Sequence, residues 1–137
     1  RRFGQQLSSD SAVVKHDDLT PESLEDRSLD TPAMDAFESD KKFLFRFDVP
    51  GANAKNTEVH FGADRALAIY VRNEEAKSNE GTVLGEFQES DWYRSVRLPS
   101  SADGDRATSK VKNGVLTVQV PKLRAPEPKM IPVKAER

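Results

Sequence analysis

The 137 residues contain no cysteine, which removes disulfides, thiolate metal ligands and cysteine nucleophiles together. Histidine is nearly as scarce, with only His16 in a polar stretch and His60 between Val59 and Phe61. Two scattered imidazoles without thiols do not make a metal centre, and acidic pairs such as Asp17-Asp18 read as solvated surface. No serine sits in a Gly-x-Ser-x-Gly turn, and neither a phosphate-binding loop nor a dinucleotide fingerprint is present. Gly62-Ala63-Asp64-Arg65 reads as a turn between strands. The expectation is therefore a protein that is not an enzyme and takes no cofactor and no metal. No apolar run approaches the roughly 20 residues needed to cross a bilayer. Lys and Arg number 21 against 23 Asp and Glu, a net charge of -2, so there is no basic footprint for nucleic acid or an anionic membrane surface. Trp92 and Tyr93 could stack on bases, but aromatic residues on a strand more often belong to a core or an interface. The expected address is the cytoplasm, with an organelle left open because the chain does not begin with Met.

What is present is unevenly distributed. Hydrophobic residues make up 36% and charged residues 32%, so part of the chain lies outside any core. Residues 1–30 carry Phe3, Leu7, Val13, Val14, Leu19, Leu24 and Leu29 too thinly to build a buried face, and this stretch reads as a flexible N-terminal arm. Within it, Leu19-Thr20-Pro21-Glu22-Ser23-Leu24 supports one helical turn, with Thr20 as cap, Pro21 at the first helical position and Leu19 stapled onto Leu24.

From about residue 34 the period becomes two. In Phe43-Leu44-Phe45-Arg46-Phe47-Asp48-Val49 the odd positions are apolar while Arg46 and Asp48 point the other way, the alternation of a half-buried strand that Pro50-Gly51 ends. Val59 and Phe61 alternate with Glu58 and His60; Leu67, Ile69 and Val71 alternate with Ala68, Tyr70 and Arg72; Trp92, Val96 and Leu98 share a face ahead of Pro99. Asn113-Gly114 between Val111-Lys112 and Val115-Leu116 is the strongest local signal, a two-residue hairpin turn, after which Leu116, Val118 and Val120 face one way until Pro121. About seven strands between residues 33 and 121, without an amphipathic helix, predict an all-β, immunoglobulin-like antiparallel sandwich. The long polar gap from Asn73 to Ser90 is a loop, either plain or carrying an edge strand that pairs elsewhere. The proline-rich run after Pro121 is an extended tail ending in Met130-Ile131-Pro132-Val133, where Ile131 and Val133 share one side of an extended chain and could plug a groove.

These residues resemble the small heat-shock proteins, whose shared unit is the α-crystallin domain. The resemblance rests on Phe47-Asp48-Val49-Pro50-Gly51, Leu67 and Ile69 in a Leu-x-Ile strand, Arg97-Leu98-Pro99, and above all Asn113-Gly114-Val115-Leu116-Thr117-Val118 followed by Pro121-Lys122. Ile131-Pro132-Val133 is similar to the tail motif of that family. Two departures stand out: Ser109 replaces a common Ala, and Ser90-Asp91-Trp92 stands in place of Gly-x-Phe.

The resemblance implies three segments: a flexible arm over 1–30, an α-crystallin domain over 31–122 and a C-terminal extension over 123–137. It further implies an ATP-independent holdase, which binds non-native client proteins and forms a homodimer that assembles into a larger homo-oligomer. In that picture Ile131 and Val133 of one subunit dock in a groove formed by Val59, Phe61, Val115, Leu116 and Val118 of a neighbour. A strand on the long loop, at Thr82, Val83, Leu84 and Phe87, crosses to the partner near Met34–Phe37. The arm residues Phe3, Leu7, Val13, Val14, Leu19 and Leu24 offer client-binding surface. The alternative is a monomeric β-sandwich interaction module of the CS-domain co-chaperone type, which generally lacks the crossing loop and the tail motif; the mass in solution separates the two.

Overall fold

The computed structural model describes residues 10–24, 26–73 and 90–123. Among these residues ten strands form two five-stranded sheets: β1 (Ser11–Ala12), β2 (Val14–Lys15), β3 (Leu29–Asp30), β4 (Met34–Glu38), β5 (Lys42–Asp48), β6 (Thr57–Phe61), β7 (Ala66–Val71), β8 (Asp91–Arg97), β9 (Thr108–Lys112) and β10 (Val115–Pro121). One sheet runs β1-β9-β10-β5-β4 and the other β2-β6-β7-β8-β3. The helical content among the described residues is three short 3-10 turns, at Pro21–Leu24, Ala63–Arg65 and Gly104–Arg106. The all-β sandwich read from the alternation is the fold.

The centre of the first sheet follows directly from the period of two. On β5 Phe43, Phe45 and Phe47 are buried while Lys42, Arg46 and Asp48 are exposed. β10 lies antiparallel to it with Leu116 opposite Phe47, Val118 opposite Phe45 and Val120 opposite Phe43. Each apolar pair thus sits on the same inward face, where cross-strand packing stabilises the sheet. β9 and β10 pair from Lys112–Val115 onward around Asn113 (φ 54°) and Gly114 (φ 76°). These two positive angles give the connection the twist the flanking strands need, which is why Asn-Gly stands there. In the second sheet β6, β7 and β8 form an antiparallel meander. Its Val59, Leu67, Ile69 and Val71 meet Phe47, Val49, Leu116, Val118 and Val120 in one core.

The main difference from the sequence reading lies upstream of residue 31. β1 pairs antiparallel with β9, β2 parallel with β6, and β3 parallel with β8, so residues 11–15 and 29–30 extend both sheets at their edges. The sandwich is antiparallel in its interior and mixed at these edges. Ala12 is buried in the core and Val14 packs against it, although the stretch was expected to lie free of the sandwich. Two-residue strands are held by backbone hydrogen bonds along an existing edge and need no apolar periodicity, so composition alone does not reveal them.

Candidate functional site

Among the described residues no group of three His, Asp or Glu side chains is placed to hold a metal ion, and no described helix is long and apolar enough to cross a membrane. What the sandwich presents is strand edges.

The first edge is the side of the sandwich where β6 and β9 face each other across the two sheets. Of the groove residues expected from the resemblance, Val59, Leu116 and Val118 are each 0% exposed and belong to the core. Phe61 and Val115 are half-buried. β10 lies between β9 and β5, so it offers no free edge; β9 borders the edge strand β1 in one sheet, as β6 borders the edge strand β2 in the other. Leu116 and Val118 thus belong to the interior of a strand paired on both sides, and Thr108–Lys112 lies between them and the rim segment Ser11–Ala12. Sequence alternation reveals which face of β10 is buried but not which strand is outermost.

That rim is covered by the chain itself. The Val111 amide donates to the Asp10 carbonyl (2.8 Å), and the Ser109 hydroxyl donates to the Ala12 carbonyl (2.8 Å). Val14 lies opposite Val59, and Lys15 opposite His60. Beyond them the buried His60 ring is held between two carboxylates, Nδ1 against Asp17 and Nε2 against Glu58 at 2.8 Å. Asp18 accepts a hydrogen bond from the Ala63 amide at 2.8 Å. His60 is on the face opposite Val59, as the alternation predicts; its burial comes from residues 14–18 lying over it.

The second edge is β4. Its register with β5 places Phe37 opposite Leu44, and among the described residues its other side ends the sheet. Phe37 is 49% exposed, with the Arg46 guanidinium 5.4 Å from its ring centroid. Exposed aromatic surface on an outermost strand is the kind of feature that pairs with another chain.

The third edge, β8, is closed by β3 and by a buried carboxylate that the sequence reading missed. Asp91 accepts from Arg27 Nε (2.6 Å) and Nη2 (3.2 Å), from the Tyr70 hydroxyl (2.5 Å) and from the Asn73 amide (2.8 Å). Burial by itself pushes this carboxyl up, but the hydrogen bonds from Arg27, the Asn73 amide and Tyr70 outweigh it and hold Asp91 below the ordinary carboxylate range. The Tyr70 hydroxyl is raised, first by burial and then by its bond to the carboxylate. Arg94 donates to the Pro32 carbonyl (2.9 Å) and Tyr93 to the Leu19 carbonyl (3.0 Å), fastening residues 19–32 to the sheet. An acidic residue before Trp92 carries no local sign of burial, since the partner that buries it comes from 64 positions earlier.

Of the expected arm residues, Val13 is 60% exposed, while Val14, Leu19 and Leu24 are half-buried. Phe3, Leu7, Thr82, Val83, Leu84, Phe87, Ile131 and Val133 lie outside the described residues.

With this geometry in view, the likenesses to known proteins are specific. The profile of the Hsp20/alpha crystallin family matches residues 35–134. Spore protein SP21 of Stigmatella aurantiaca is 33% identical over 104 residues, covering 74% of this chain and 61% of that protein. The 17.6 kDa class II heat shock protein of Arabidopsis thaliana is 36% identical over 102 residues, covering 72% and 65%. The match thus spans less than two thirds of the length of these relatives. Among solved structures, a small heat-shock protein from Xylella fastidiosa superposes with a TM-score of 0.58 at 29% identity, covering 76% of this chain and 96% of that one. Heat shock protein 16.0 of Schizosaccharomyces pombe gives 0.55 at 26% identity, covering 76% and 98%. Two packed sheets, the Asn113-Gly114 hairpin between β9 and β10, the Pro-Gly stop after β5 and the profile match across 35–134 converge on one conclusion: this chain belongs to the Hsp20/alpha crystallin family, the small heat-shock proteins.

Proposed function

We propose that the protein is an ATP-independent holdase, an oligomer that binds partly unfolded proteins in the cytoplasm and keeps them from aggregating. The observation that carries this reading is the family match over residues 35–134, on a sandwich whose exposed features are strand edges. A holdase needs apolar surface that is masked at rest, because a permanently exposed patch of several hundred Å² leads to self-association. Strand edges and short apolar plugs supply reversible masking. In this reading the domain over 31–122 is the rigid unit, the extension over 123–137 links subunits, and the arm over 1–30 adds client contacts, with Val13 among the described residues that keep apolar surface exposed.

The dimer in this reading forms when Thr82, Val83, Leu84 and Phe87 of one subunit add a strand along the outer edge of β4 in the other. Two observations favour this edge: β4 ends its sheet with Phe37 exposed, and the β8 edge is already paired with Leu29–Asp30. A dimer made by β8 meeting β8 would first have to strip β3 and the Arg27–Asp91 pair. Assembly beyond the dimer uses Ile131 and Val133 as an apolar pair docking at the β6–β9 rim of a neighbour.

The test is aggregation of a heat-labile protein mixed with increasing amounts of the full chain, with and without ATP. Suppression near stoichiometric amounts and independent of nucleotide is expected. A requirement for ATP, or no suppression, would remove the reading.

A further inference from the structure

The tail motif consists of two apolar residues, Ile131 and Val133, with Pro132 between them. Residues 12–14 repeat that arrangement within the structure: Ala12 is buried, Val13 points out at 60% exposure, and Val14 packs against the core. This one extended segment bonds to β9 through Ala12 and to β6 through Val14, so it bridges the two sheets at the rim. Its far end is fastened by Asp17 on His60 and by Asp18 on the Ala63 amide. The chain even makes room for it. A Cβ on Gly62 would come within 2.1 Å of Asp18 Oδ1, 2.9 Å of the Asp17 carbonyl and 3.0 Å of the Asp18 Cα, so a side chain there would push residues 17–18 away. Gly62 has an ordinary extended backbone (φ -110°), so the close approach of that segment, not strain, is what favours glycine.

We propose that residues 10–18 are a resident, displaceable occupant of the β6–β9 rim, and that this segment and the Ile131–Val133 tail of another copy compete for the same site. The proposal rests on the reading that the tail docks at this rim. Being tethered, residues 10–18 act at a high effective concentration, whereas a tail from another subunit must arrive from solution. The tethered pair has a weaker grip, because Ala12 buries less apolar surface than Ile131 would. A tethered weak occupant and an untethered stronger one give a rim that opens according to how many tails are nearby. Assembly then depends on subunit concentration, and releasing the tail does not leave apolar rim bare, because residues 10–18 close over it. When the tail is seated, Val14 joins Val13 as exposed apolar surface on a freed segment.

The test uses the full chain carrying Ile131→Ser and Val133→Ser, so that its own tail is silent, titrated against a fluorescent peptide of residues 127–136 and read by anisotropy. Adding Gly62→Ala displaces residues 17–18, and a second variant, Val14→Asp, makes burial of residue 14 unfavourable. Amide exchange in β5 and β10 reports that the sandwich is intact, and exchange over residues 10–15 reports release. Each variant is expected to raise exchange at 10–15 and to tighten peptide binding about fivefold or more, because the competent fraction rises. Equal peptide affinity in parent and variants, with 10–15 released, would overturn the competition and leave tail docking standing. No peptide binding to any of the three would overturn tail docking itself, and the competition with it.

Discussion

Arg27 and Asp91, 64 positions apart, form a two-pronged ion pair in which the carboxylate is buried and the guanidinium stays partly in water, with side-chain exposures of 3% and 39%. The pair joins the segment leading into β3 to the first residue of β8, and Tyr70 and the Asn73 amide complete the carboxylate's shell. Asp91→Asn keeps the shape but loses the charge and one acceptor. The expected cost is about 1–3 kcal/mol, limited because Arg27 regains solvent. Urea denaturation of the variant against the parent at neutral pH measures it.

The same carboxylate has a pH signature. Its folded-state value lies below the ordinary carboxylate range, so the unfolded chain takes up the proton first as pH falls. The stabilisation is complete above the unfolded value of about 4 and is lost as pH drops through it toward the lower folded value. The gap in urea midpoint between parent and Asp91→Asn should therefore be constant from pH 7 to about 5 and narrow below about 4. A gap that narrows already between pH 7 and 6 would show that Asp91 is not its source.

Leu116 is fully buried opposite Phe47, whereas Val13 stands out from the rim. Leu116→Ala is expected to destabilise by about 2–5 kcal/mol through lost burial and the cavity left behind. Val13→Ser should stay within about 0.5 kcal/mol. The contrast, read from thermal or urea unfolding, separates the interior role of β10 from a groove-lining one.

Replacing Ile131 and Val133 together by Ser should leave a folded dimer and reduce assembly size in light scattering. An unchanged oligomer would contradict tail docking. Because β5 and β10 pair over their full length without these residues, no change in unfolding midpoint is expected.

Deleting residues 80–88 should yield folded monomers if the loop strand adds to β4 of the partner. Adding Phe37→Ser to the intact chain should weaken the dimer in the same direction, since Phe37 is half-exposed on that edge. A dimer that survives both changes would place the interface elsewhere.

The central strands were legible because alternation is a local property. Phe43, Phe45 and Phe47, or Leu116, Val118 and Val120, declare a buried face without reference to any other part of the chain. Asn113-Gly114 likewise carries its own turn geometry. Strand order was not legible: β9 and β10 flank the same hairpin and alternate alike, and only the pairing puts β9 next to the edge strand β1 and β10 one place further in.

The sequence by itself determined the all-β class, the interior strands, the hairpin and the family resemblance, because each depends on residues within a few positions of one another. The tertiary structure decided what lies on the edges. Asp17 reaches His60 across 43 positions, Arg27 reaches Asp91 across 64, and the Ser109 hydroxyl reaches the Ala12 carbonyl across 97. Such contacts join a polar stretch to strands already formed, through backbone bonds and buried charge rather than apolar period, and only the folded edges bring those groups within reach.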